Sequence, residues 1–117
     1  MLGLAFGRMM FEAIQIGRKA EKSLIVGDEH TAARVGSGGL PVFATPQMVA
    51  LMETAAVAAV DPLLPQGHQT VGIQVNISHL AATPVGGKVT ARAELIEIEG
   101  RKLTFRVEAY DDAGKIG

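Results

Sequence analysis

The chain has 117 residues and no cysteine, and its eleven Lys and Arg against twelve Asp and Glu leave a formal charge of -1. That length suits one domain that gains from pairing with a partner. The charge balance excludes the basic footprint of a nucleic-acid or anionic-membrane binder, an aromatic content of 4% excludes stacking platforms, and the lack of cysteine excludes disulfides, thiol nucleophiles and Cys-based zinc sites.

Met1 to Phe6 is apolar, but Arg8 follows it and no small-residue cleavage site comes after, so it does not read as a signal peptide. Residues 1–20 fit no clear element pattern. Leu24-Ile25-Val26, closed by Gly27-Asp28, marks the end of a first strand. His30 to Val35 reads as a second short strand, after which Gly36-Ser37-Gly38-Gly39 breaks regular structure. Thr45 is then a good N-cap and Pro46 suits the first helical position of a helix that runs through Val60 and stops at Asp61-Pro62. The apolar stretch Val42 to Val60 approaches membrane-spanning length but contains Pro46, Gln47 and Glu53, so a buried helix of a soluble, cytoplasmic protein is the better reading.

At about 100° per residue, Gln47, Thr54 and Asp61 form the only polar stripe of this helix. Glu53 lies well off that stripe, on a face shared with Pro46, Val49, Ala50, Ala56, Val57 and Val60. Beyond the loop Leu63 to Gln69, Thr70 to Leu80 alternates, with Val71, Ile73, Val75 and Ile77 on the apolar face and His79 next in the same register. Lys88 to Ile98 and, after a turn at Glu99-Gly100, Lys102 to Ala109 alternate likewise, and Lys115-Ile116-Gly117 opens a further strand that is cut off. One long helix followed by a meander of half-buried strands is an α+β arrangement, a single antiparallel sheet folded against the helix in one domain over residues 1–117.

Glu53 and His79 each sit where their element faces the core, so the two are positioned to meet. A carboxylate among Val and Ala suits general-base work, and the imidazole is a natural partner for it. The alternatives are a satisfied core or strand-end histidine, and an interface ion pair or buried hydrogen bond for Glu53. Thr45 is explained as an N-cap, or else its hydroxyl positions a substrate carbonyl at a helix N-terminus. There Pro46 donates nothing, leaving the amides of Gln47 and Met48 as the donors. Gly72 interrupts its strand as a bulge or a close approach of backbone or ligand. His30 and His68 lack metal-ligand spacing, the glycine run lacks the ending of a phosphate loop, and Arg92, Arg101, Lys102 and Arg106 fit a solvated face better than a phosphate site. No metal or cofactor is called for.

Several stretches also carry a resemblance: Val35-Gly36-Ser37-Gly38, Val42-Phe43-Ala44-Thr45-Pro46, Leu51-Met52-Glu53, the run Val75 to Pro84, and Val107-Glu108-Ala109-Tyr110-Asp111. Together they are similar to the fluoroacetyl-CoA thioesterase-like branch of the hotdog thioesterases, over roughly Thr31 to Gly117. The resemblance implies a hotdog fold, in which an antiparallel sheet wraps around one long central helix, and hydrolysis of a small acyl-CoA. It further implies Thr45, Glu53 and His79 as the catalytic triad, Gly72 beside the thioester, and a homodimer or dimer of dimers with active sites at the subunit interface. In two respects the chain departs from the pattern. The aromatic residues that guard the pocket of the fluoroacetyl-specific member have no counterpart in Gly36 to Pro41, and a final strand is incomplete. A hotdog hydratase is disfavoured because its closely spaced Asp and His pair is absent. A non-catalytic acyl-CoA or small-ligand binding module is the alternative from a different class.

Overall fold

The computed structural model describes Leu2, Gly3 and residues 14–117; apart from Leu2 and Gly3, the apolar opening Met1 to Phe6 lies outside the described residues, as does Phe11. Among the described residues the strands are β1 (Leu2–Gly3), β2 (Lys19–Ile25), β3 (Val71–Gly72), β4 (Lys88–Glu99), β5 (Lys102–Asp111) and β6 (Gly114–Lys115). The sheet runs β2-β4-β5-β1-β3 with every pairing antiparallel, and β6 pairs with the far end of β5. The α-helices among the described residues are the single turn α1 (Ala32–Val35) and the long α2 (Thr45–Val60).

Alternation in sequence becomes a two-faced sheet. Val89, Ala91, Ala93 and Leu95 of β4 and Leu103, Phe105 and Ala109 of β5 are buried against Met48, Leu51, Met52, Ala55, Ala56, Ala59 and Val60 of α2. Alanines on both sides of this contact let the helix approach the sheet closely, which is why one helix suffices to fill the concave face. The outer face carries charge: Arg92 pairs with Glu21 at 2.9 Å and stands over the Tyr110 ring, and Arg106 lies 3.9 Å from Glu94. At its C-terminus, α2 is closed by Arg18, whose Nε donates to the Ala59 carbonyl at 2.8 Å, a cation placed at the negative end of the helix dipole.

Three expectations change. His30 to Val35 is not a strand: Asp28–His30 is a turn of 3-10 helix and Ala32–Val35 a turn of α-helix, ended by Gly36 in the left-handed region at φ 81°. Ala32 and Ala33 are strong helix formers and Gly36 is the stop that a left-handed cap requires. Thr45 is the first helical residue and Ala44 the N-cap, with no side-chain cap bond, so the threonine hydroxyl is released for another partner. Finally, only Val71–Gly72 of the stretch Thr70 to Leu80 belongs to the sheet. The first part of its apolar register turns outward, Val71, Ile73 and Val75 being 61%, 52% and 48% exposed, and Gly72 meets α2 there. Ile77, by contrast, packs against the core and His79 reaches the helix N-terminus.

Candidate active site

The N-terminus of α2 is held by backbone bonds on both sides. Ala44 N–H donates to the His30 carbonyl at 2.9 Å and Phe43 N–H to the Thr83 carbonyl at 2.8 Å. The extended stretch after β3 arrives at the same place because Leu80 N–H donates to the Ile116 carbonyl at 2.7 Å, Ile116 being buried in the core. At its other end, Thr70 Oγ1 donates to Asp61 Oδ1 at 2.7 Å, fixing the start of the stretch to the foot of the helix.

These anchors bring Thr45 and His79 together, 34 residues apart in sequence, with Thr45 Oγ1 and His79 Nδ1 separated by 2.8 Å. The imidazole stands edge-on to the buried Phe43 ring, at 6.4 Å between centroids and 80° between planes. Burial pushes the His79 pKa below its ordinary value of 6.5, with the nearby Ala81 backbone acting weakly the other way. The neutral ring is therefore the resting form near neutrality, and a neutral ring bonded to a hydroxyl is able to take that hydroxyl's proton. His79 Nε2 is buried and forms no hydrogen bond among the described residues. The Ala81 backbone lies near the ring and favours its protonated form, but no group meets this nitrogen with hydrogen-bond geometry.

Thr45 and His79 border a groove of about 380 Å³, walled by Ala32, Val42, Phe43, Leu80 and the stretch Ser37 to Leu40. Among the described residues no ionisable side chain other than His79 borders it, so it suits an uncharged, largely apolar group. Thr45, at the first helical position, has an N–H without an acceptor inside the helix, and the helix dipole points its positive end at the groove. The amides of Gln47 and Met48 are not the free donors expected from the sequence, because both are directed at the Ala44 carbonyl at 3.0 Å. Met48 is in addition fully buried, and neither residue borders the groove. The donor that sequence reasoning missed is the Thr45 amide, hidden by the expectation that Thr45 is the cap rather than the first helical residue.

Glu53 does not join this pair within one chain. It is partly buried in a second, smaller cleft of about 70 Å³ between α2 and the extended stretch, bordered by Val49, Met52, Gly72, Asn76, Ile77 and Phe105. A Cβ placed on Gly72 lies 2.7 Å from Glu53 Oε2, so the glycine is what lets the carboxylate rest against the strand. Gly72→Ala should push that carboxylate aside while sparing the fold, since the obstructed atom is the end of a flexible side chain. A fall in kcat of about 10- to 100-fold with an unchanged circular dichroism spectrum is the expected result, on the scale of the loss that a displacement near 1 Å produces. An unchanged kcat would show that the position of this carboxylate is immaterial.

The other histidines stay apart from the groove. His30 Nδ1 accepts from the Gly27 amide at 2.8 Å, a local turn contact, and His68 lies in the exposed loop before β3. Among the described residues no group of three His, Asp or Glu side chains is arranged to hold a metal ion, and no helix is long and apolar enough to cross a membrane.

Comparison with known proteins places this geometry. Residues 26–117 match the family model FlK, fluoroacetyl-CoA-specific thioesterase. The fluoroacetyl-CoA thioesterase of Streptantibioticus cattleyicolor is 49% identical over 76 residues, or 65% of this chain, and the match spans 55% of that relative, about half its length. A phenylalanine-to-alanine variant of FlK, solved with fluoroacetate and CoA, superimposes with a TM-score of 0.83 at 36% identity, over 88% of this chain and 87% of that one. A thioesterase-superfamily protein of Thermus thermophilus does so with a TM-score of 0.80 at 34% identity, over 88% of this chain and 77% of the other. The α+β architecture is thus the hotdog fold, and the chain belongs to the fluoroacetyl-CoA-specific thioesterase family.

Proposed function

We propose that this protein hydrolyses a small acyl-CoA to the free acid and CoA, working in the cytoplasm as a homodimer or dimer of dimers. The observation that carries the reading is the 2.8 Å contact between Thr45 Oγ1 and His79 Nδ1 at the wall of an apolar groove. Family membership supports it.

In the proposed reaction Thr45 Oγ attacks the thioester carbonyl carbon while His79 Nδ1 takes the hydroxyl proton. Negative charge on the carbonyl oxygen is met by the Thr45 N–H and the helix dipole. The C–S bond then breaks, and the CoA sulfur leaves with the proton held by His79. Water attacks the acyl-Thr45 ester as His79 accepts its proton. Collapse of that intermediate breaks the ester bond, returns the proton to Thr45 Oγ and releases the acid. Glu53, which does not reach His79 within one chain, is the carboxylate that orients the imidazole across the subunit interface of the proposed dimer, and Gly72 leaves it room. A burst of CoA release on rapid mixing, with acyl-threonine trapped by acid quench, is the expected signature. A single-phase release with no trapped ester would assign Thr45 to orienting water instead.

Release of free thiol from acetyl-, fluoroacetyl-, butyryl-, hexanoyl- and phenylacetyl-CoA tests the activity itself. Because Ser37 to Leu40 puts no aromatic side chain in the groove wall, fluoroacetyl-CoA is not expected to be singled out. Silence across the panel together with measurable acyl-CoA binding would leave the protein as a binding module. The pH profile follows from the burial of His79. Its neutral form is the base, and its pKa lies below 6.5, so kcat/KM should be flat near neutrality and fall only in acid, as pH drops through that lowered value. Stability moves in the same direction. The unfolded chain takes up this proton below pH 6.5 while the folded chain resists, so stability is lost from there down to the folded pKa. A profile that declines with a midpoint above 6.5 would contradict this.

A further inference from the structure

Resting on the reading above, we infer that Asp111 is a positioning residue of the active site: through the Thr83 hydroxyl it holds in register the two segments that carry His79 and Thr45. Its carboxylate is bonded to neither of those side chains and does not border the groove.

Strand β5 ends at Asp111, and the Ala113 amide closes the turn that follows by donating to Asp111 Oδ1 at 2.9 Å. That is the ordinary use of an aspartate at a turn. The second oxygen is used differently. Asp111 Oδ2 accepts from Thr83 Oγ1 at 2.8 Å, across 28 residues of sequence, and Thr83 is only 1% exposed. A hydrogen bond to a carboxylate is of the stronger, charge-assisted kind, and a buried hydroxyl left without its acceptor is costly. Thr83 is also held on its other side. A Cβ on Gly87 would lie 2.6 Å from Thr83 Cγ2, so the methyl is seated against bare backbone, and a β-branched side chain fixed there has one direction for its hydroxyl.

Two routes to the active site meet at Thr83. Its carbonyl accepts from the Phe43 N–H at 2.8 Å, and Val42 pairs with Pro84 beside it. The Phe43 ring stands nearly perpendicular to that of His79, and Phe43 leads directly into the N-cap Ala44 and Thr45. Backward along the chain, Leu80 and Ala81 donate to the Ile116 carbonyl at 2.7 and 3.4 Å, and Ile116 N–H donates to the Ala109 carbonyl at 2.9 Å. The short stretch after His79 is therefore fastened to the β5–β6 hairpin at both ends, by backbone at Leu80 and Ala81 and by side chains at Thr83. Only the second fastening depends on which side chains are present. The geometry it serves is narrow, because the hydroxyl and the imidazole pass a proton only while their 2.8 Å contact is kept. A shift of about 1 Å is enough to impair it.

Asp111→Ala and Thr83→Val should each lower kcat for the best acyl-CoA by about 10- to 100-fold while KM changes by less than about three-fold, the pattern of a misplaced reacting pair beside an intact groove. The D111A/T83V double variant should be no slower than the slower single one, because both remove the same bond. Thr83→Ser keeps the hydroxyl and should return to within a few-fold of wild type. Where D111A fails to fold, T83V, which keeps the shape of the side chain, decides the matter. A lowered melting temperature with wild-type kcat, or losses that add in the double variant, would overturn the inference and leave Asp111 a residue of the fold alone. A readout independent of turnover separates this from failure of the thioesterase reading itself. In protein with 15N-labelled histidine, the His79 ring resonances, set by the bond to Thr45, should move in T83V and hold in T83S. Unmoved resonances in T83V refute the positioning role whatever the rate. Resonances that move in a protein whose wild type turns over no acyl-CoA uphold the positioning of the pair and discard the reaction.

Discussion

Replacing His79 by alanine should lower kcat for the best acyl-CoA by about 100- to 10,000-fold, the range typical of losing a positioned acid–base group. KM should change only a few-fold. The imidazole bonds to the Thr45 hydroxyl, stands nearly perpendicular to the Phe43 ring, and is one of several side chains that line the groove. Loss of the base leaves Thr45 with its ordinary alcohol reactivity, while the Thr45 amide and the helix dipole remain to bind the carbonyl, so some residual rate survives. Folding should be little disturbed. Burial holds the His79 pKa down and one ring nitrogen is buried without a partner, so the native state gains little from the ring. Steady-state kinetics beside a thermal melt checks both halves of this. A kcat within five-fold of wild type would remove His79 from the chemistry, and a collapse of the melting transition would make it a core histidine, the other reading its position in sequence allowed.

How far the sequence shows this site depends on which interactions set each element. The central helix was legible to the residue at its end, because Ala-rich propensity and the Asp61-Pro62 stop act locally, and α2 ends at Val60. The alternation of Lys88 to Ile98 and of Lys102 to Ala109 was equally reliable, since each faces a core on one side and water on the other, and β4 and β5 follow it. Thr70 to Leu80 shows the same period but a different outcome. Its apolar residues Val71, Ile73 and Val75 are exposed in the chain, so periodicity marked two faces without showing which of them the helix covers. That ambiguity also misplaced Glu53. The helical arithmetic correctly took it off the exposed stripe, and the strand register correctly put His79 near the helix, but closeness within one chain does not follow from each facing inward. Thr45 was singled out for two roles at once, and the structure separates them: Ala44 takes the cap, and the hydroxyl goes to His79. Propensity had no means of deciding this, because the choice is made by Leu80 being tied to Ile116, which draws His79 to the helix end.

Val75→Lys should dissolve the dimer and the activity together while leaving the single chain folded. In the isolated chain Val75 is 48% exposed, so a lysine there has access to water and costs the fold little. In the proposed dimer, an association through this exposed edge would have to desolvate the ammonium group of each lysine, with like-charge repulsion added where the two approach. A penalty of about 3 kcal/mol already weakens association by more than 100-fold. Sedimentation velocity should then show a monomer with a wild-type circular dichroism spectrum. Its turnover should fall to the level of the Glu53→Gln variant, although Thr45, Glu53 and His79 are all present in the chain. That pairing of results sets the variant apart from an ordinary active-site lesion, in which the dimer persists, and from an ordinary stability lesion, in which the spectrum is lost. An active V75K monomer would mean that one chain completes its own site and that the bare strand edge serves some other contact. An active V75K dimer would place the interface elsewhere on the sheet.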